Sequence, residues 1–346
     1  MFGSMLRASA LGFLAAALLT ACGKGTPLTS GTATPPPPYV PSVTSEYPIP
    51  TGSSRPMGIV TTTVDNSLWF TESASSKLGN LQTNGKISTP EPLTPTKNAF
   101  PNQIASGPNG NLWFTETAIG KVGQITLLAT PPIVTEFPLD ATARPTALTL
   151  GSDGNMWVAD PPQNKVWKVS QRGIVGPACG VGGQPNAIAS GPDGALWFTE
   201  GASNRIGRLP LTGTAACGTL TEFPIPTKNA GLSSIVSAQD NALWFLERNS
   251  KKLGRMEVTG KVTNEYSLAP AIAPTTLIQG VDTNFYFSDP ASNEIGRFVI
   301  STKKVTLYKI PTANSLPGTM TLGPDNQIYF VETGSDHIGQ FKYFCC

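Results

Sequence analysis

Hydrophobic positions along this chain gather into short runs, and one run recurs. It is an aromatic and β-branched stretch, set off by polar turns and closed by an acid. The copies are Trp69-Phe70-Thr71-Glu72, Trp113-Phe114-Thr115-Glu116, Trp157-Val158-Ala159-Asp160, Trp197-Phe198-Thr199-Glu200, Trp244-Phe245-Leu246-Glu247, Tyr286-Phe287-Ser288-Asp289 and Tyr329-Phe330-Val331-Glu332. The steps between the leading aromatics are 44, 44, 40, 47, 42 and 43 residues. A period of this length that carries short strands fits one four-stranded propeller blade per repeat.

The fourth unit predicts the strands of a blade. Pro185–Ser190 reads as the first strand and Gly191-Pro192-Asp193-Gly194 as a tight turn, because Pro presets φ and Gly accepts positive φ. Leu196–Glu200 is the second strand, apolar on both faces as a sheet sandwiched between neighbours requires. Arg205–Leu209 is the third. Leu220–Pro224 is the fourth; its proline suits an outer edge. The last unit stops after a third strand at Ile338–Phe344, and an unpaired outer-strand pattern stands at Val43–Pro50. The chain therefore reads as an all-β, seven-bladed β-propeller of four-stranded blades, its ring closed by an N-terminal strand pairing into the last blade.

This topology puts the Gly-Pro-Asp-Gly turns on the bottom face and two rings on the top. One ring is the acids Glu72, Glu116, Asp160, Glu200, Glu247, Asp289 and Glu332. The other is the residue after each lead proline: Met57, Asn102, Thr146, Asn186, Thr275 and Gly318, with Ser233 where the proline is missing. Asn102, Thr146, Asn186, Thr275 and the seven acids are the candidate ligand-binding residues. Carboxylates suit Mg²⁺ or Ca²⁺; equal use in every blade instead suggests that each acid caps loop N–H groups of its own blade.

The start of the chain has a different character. Residues 1–21 read as an export signal: Arg7, then the apolar run Ala8–Leu19, too short to span a bilayer. The segment ends Leu19-Thr20-Ala21-Cys22, which resembles a bacterial lipobox and implies lipidation at Cys22; the alternative is an ordinary secretory signal. Residues 22–42 form a Pro/Thr/Ser-rich tether, with polyproline II expected at Pro35–Pro38. The propeller then occupies 43–346. The expected location is extracytoplasmic, lipid-anchored to the bacterial cell membrane. Gly23 (rather than Asp) implies the outer membrane if the organism has two.

A net charge of +2 with no basic stripe argues against nucleic acid as a partner. Export permits disulfides. Of the cysteines beyond Cys22, the adjacent blades favour a Cys179–Cys217 pair, and Cys345-Cys346 either bridge or stay free. The one histidine, His337, takes a slot held elsewhere by Lys77, Lys121, Lys165, Arg205, Lys252 and Glu294, and reads as solvent-facing and structural.

Repeats such as Gly191-Pro192-Asp193-Gly194-Ala195-Leu196-Trp197-Phe198-Thr199-Glu200, followed by Asn204–Arg208 and Thr221–Thr227, resemble those of the virginiamycin B lyase (streptogramin lyase) family over residues 43–344. The resemblance implies a magnesium-assisted elimination that linearises type B streptogramins. It also implies essential histidines after the lead proline of the sixth and seventh repeats. Those positions hold Thr275 and Gly318, and neither is a base able to take a proton next to a carbonyl. The expected function is a membrane-tethered module that binds a small ligand or protein at its top face, with no catalytic residue and no cofactor. The alternative is a C–O lyase of the streptogramin type, with Mg²⁺.

Overall fold

The computed structural model describes residues 39–88, 96–211 and 217–344. The export signal, Cys22, most of the tether, Cys345 and Cys346 lie outside the described residues. No helix among the described residues is long and apolar enough to cross a membrane.

The described residues form seven four-stranded antiparallel sheets. Each follows the order first, second, third, outer strand, as in Pro185–Ser190, Leu196–Glu200, Arg205–Leu209 and Thr221–Pro224 of blade 4. First strands of successive blades lie against one another around the ring, and that of blade 7, Pro317–Leu322, lies against that of blade 1, Pro56–Thr61. The outer strand of blade 7 is Ser42–Pro48, paired antiparallel with His337–Lys342 in the register Ser42↔Lys342 through Pro48↔His337. The join is also stitched from side chain to backbone: the Thr333 hydroxyl donates to the Pro56 carbonyl at 2.8 Å.

Every second strand is buried along its whole length because it has a blade on each side. One core cluster, for example, packs Trp197 and Ile206 of blade 4 against Ile235, Leu243 and Phe245 of blade 5. Burying each large apolar side chain contributes about 1.5–3 kcal/mol. The third-strand glycine has a specific cause. In blade 4, Gly207 pairs with Phe198, and a Cβ at 207 would lie 2.2 Å from the Phe198 ring. Blade 3 solves the same problem in reverse, pairing Val158 with Trp167.

The bottom turns are held by a repeated trio. Asp193 accepts from Trp197 Nε1 at 3.0 Å and from Arg208 Nε at 2.7 Å. Asp153, Asp240 and Asp282 do the same with Trp157 and Lys168, Trp244 and Arg255, and Tyr286 and Arg297. Burial pushes the Asp193 carboxyl up, but the bonds from Trp197 and Arg208 outweigh it and hold the group below the usual carboxylate range. These acids are structural anchors of the turn. Cys179, in the outer strand of blade 3, and Cys217, ahead of that of blade 4, form a disulfide with a Cα–Cα distance of 5.6 Å.

Candidate functional site

The seven top-face acids do not line the mouth. All are fully buried inside their blades. Most are satisfied locally. Serines three positions on donate to Glu72, Glu200, Glu247 and Glu332, through Ser75, Ser203, Ser250 and Ser335, at 2.7–3.0 Å. Asp160 accepts from the Arg144 backbone and from Trp167 Nε1. Asp289 accepts from the Ile272 and Ala273 backbones. Asp160, Asp289 and Glu200, which also accepts from the Gly182 backbone, pin the loop that leads into the first strand, and the serine-bound acids hold the loop that follows the second; a carboxylate enclosed this way is out of reach of a ligand at the mouth.

Glu116 differs. No donor among the described residues reaches either of its carboxyl oxygens, and they meet the Glu136 carboxyl instead. Burial, then the charge of nearby Glu136, pushes its carboxyl up to about 8. Glu136 itself is held by Lys121 at 2.8 Å and by the Thr96 hydroxyl at 2.7 Å. Two facing carboxyls in one buried site are compatible only with a proton on one of them. Burial likewise raises Glu247 and Glu332 to about 7 each.

The fit to magnesium follows from this placement. The acids stand one to a blade, and no group of three His, Cys, Asp or Glu side chains among the described residues is placed to hold an ion. Mg²⁺ prefers an octahedron of oxygens with several waters retained, and the buried ring does not offer such a cage.

The second ring is nearer the surface. Asn102, Thr146, Thr275 and Gly318 are half-buried and Asn186 is exposed. The Thr275 hydroxyl is engaged with Ser288 Oγ at 3.0 Å. At position 318 an added Cβ would meet Val331 Cγ2 at 2.9 Å, so a side chain there requires Val331 to shift. His337 is half-buried rather than solvent-facing, at the start of the third strand of blade 7, with Nδ1 2.6 Å from the Ser335 carbonyl. Pairing with Pro48 of the closing strand on one side and Glu332 on the other covers it.

One cleft of about 270 Å³ opens on the top face across blades 1 to 3. Of the candidates only Asn102 lines it, beside Met57 and Ser73. The other large contributors are Arg55, Phe100 and Arg144. Arg55 and Phe100 stand immediately before a lead proline and have φ of 50°, the left-handed region. The cleft thus uses the residue before the lead proline as well as the expected one after it. The signal available in sequence was a large side chain just before the proline.

A family description and solved structures can be set beside this geometry. The virginiamycin B lyase family matches residues 40–177 and 134–344, which together cover the whole propeller. The chain belongs to the virginiamycin B lyase family. Virginiamycin B lyase from Staphylococcus aureus is 28% identical with a TM-score of 0.78, over 87% of this chain and 99% of that one. A streptogramin B lyase structure is 31% identical with a TM-score of 0.77, over 86% and 96%. A catalytically inactive histidine-to-alanine variant of the Staphylococcus aureus lyase, with quinupristin, aligns as its parent does. No curated protein matches the chain. Membership in the virginiamycin B lyase family fixes the propeller and its repeats; the chemistry depends on the side chains at the mouth.

Proposed function

We propose that this member of the family is an extracytoplasmic, membrane-tethered propeller whose top face binds a small ligand or a protein and does not carry out the lyase reaction. One observation carries the reading. The two positions where the family resemblance implies histidine hold Thr275 and Gly318. The Thr275 hydroxyl is bound to Ser288, and Gly318 has no side chain to act. Proton abstraction beside a carbonyl needs a base in reach with a suitable pKa. The chain's only histidine, His337, is half-buried on a third strand, outside that ring. Enclosure of the acid ring removes the carboxylates as substitutes. The lipobox-like Leu19–Cys22 and the tether of 22–42 support the membrane attachment.

The test is turnover. The protein is incubated with quinupristin and Mg²⁺, and ring opening is followed by mass spectrometry. The antibiotic is expected to remain intact. Magnesium-dependent linear product would establish the lyase and overturn the binding-only reading.

A further inference from the structure

The cleft across blades 1 to 3 has features that specify a ligand class. Its lining holds two arginines, Arg55 and Arg144, and no acid. Arg55 makes no side-chain hydrogen bond or ion pair among the described residues. Arg144 is braced: its Nη1 donates to the Ala143 carbonyl at 2.6 Å, which fixes the guanidinium at the rim. Phe100, 43% exposed, and Met57 supply the apolar part of the lining. The Asn102 amide and the buried Ser73 hydroxyl add polar groups that make no side-chain hydrogen bond among the described residues.

The backbone at these positions is in an unusual conformation. Arg55, Phe100 and Leu316 take φ near +50° before a proline, and Gly231 takes +69° at the matching place in blade 5. Glycine therefore suits this loop, and it occupies the left-handed region without the steric penalty that a side chain brings. Blades 1 and 2 instead carry Arg and Phe, two bulky residues in a conformation they rarely adopt. Leu316 shares that conformation in blade 7 and does not line the cleft, so the backbone belongs to the loop, while the choice of Arg and Phe is particular to blades 1 and 2.

The wider field agrees. Among the described residues, the top-face loops carry exposed Arg55, Lys97, Arg144, Lys228, Arg248 and Lys251. Their acids are Asp140 and Asp336, both half-buried and tied to local groups: Thr142, and Ser54 with the Arg55 backbone. Positive charges outnumber negative ones in these loops, and an excess of one sign raises the local concentration of the opposite ion.

We propose that this cleft binds a small amphiphilic anion: a carboxylate carried on a flat apolar body. The carboxylate takes the Arg55 fork, with Arg144 as second donor, and the apolar body lies on Phe100 and Met57. A forked guanidinium matches a carboxylate in two parallel bonds. This names the ligand class of the binding reading above and rests on it.

The probe is benzoate, with benzyl alcohol as its uncharged counterpart, bound to the full chain and read by ligand-observed NMR and calorimetric titration. Benzoate is expected to bind at least tenfold more tightly than benzyl alcohol. Arg55→Gln with Arg144→Gln is expected to abolish that preference. Arg55→Gly with Phe100→Gly is expected to lose benzoate binding at least tenfold while the thermal midpoint holds or rises, since glycine relieves the loop. Equal binding of the two probes, no benzoate binding, or a preference that survives loss of both arginines would overturn the proposal. Any of these leaves the intact-antibiotic result standing, so failure of the ligand class and failure of the binding reading are separate outcomes.

Discussion

Glu116 shows how a single residue can make this fold sensitive to pH. Its carboxyl is buried beside Glu136 and titrates near 8, whereas an unfolded chain releases that proton in the ordinary carboxylate range. The folded state therefore holds the extra proton between those limits. Stability falls as pH rises through that window, and the contribution is full only below it. The thermal midpoint is expected to be higher at pH 6 than at pH 9. Glu116→Gln, which keeps the shape without the charge, is expected to flatten part of that slope; differential scanning fluorimetry across pH reads both. The acids were legible in the sequence as a period, because every sandwiched second strand ends the same way. Their depth was not. A residue at a strand end is enclosed or open according to the loop that folds over it, and the loop's path is not written in the acid. Arg55 and Phe100 were illegible for a related reason: Asn and Gly advertise a left-handed backbone, and Arg and Phe do not.

At the scale of elements, the blade boundaries were readable to within a residue or two because turn chemistry brackets them. Blade 4's first, second and third strands run Pro185–Ser190, Leu196–Glu200 and Arg205–Leu209, where Pro, Gly and Asn place them. Outer strands were harder. That of blade 3 is only Cys179–Gly180, and its neighbour is Thr221–Pro224. A strand with one partner needs little apolar content, so its pattern is weak. The disulfide from Cys179 to Cys217, 38 positions apart, compensates by cross-linking these two short edges. Cys217→Ser is expected to lower unfolding free energy by about 2–4 kcal/mol in urea titration, with reducing agent changing the parent and leaving the variant unaffected.

For the whole molecule, the proposed attachment and the proposed recognition fall to separate segments. Residues 22–42 precede the closing strand in the chain, and the cleft belongs to blades 1 to 3. Cys22→Ser is expected to move the protein from the membrane fraction to the soluble extracytoplasmic fraction without changing benzoate binding, as read by fractionation and titration. An unchanged membrane fraction would instead favour an anchor other than the lipid on Cys22.

The closing strand also sets a timetable for folding. Thr44 and Gln340, whose side chains meet in the finished ring, are 296 positions apart in the chain. Whether the chain is delivered by synthesis or by export, its N-terminal part comes first, so the closing strand stays without its partner until Gln340 and its neighbours arrive. During that wait it is an unpaired edge, the kind of segment that templates misassembly. Its sequence, Ser-Val-Thr-Ser-Glu-Tyr-Pro, is short, polar, charged at Glu46 and bounded by Pro41 and Pro48. Those properties make it a poor partner for strangers, so the strand that arrives first is also the one best suited to waiting.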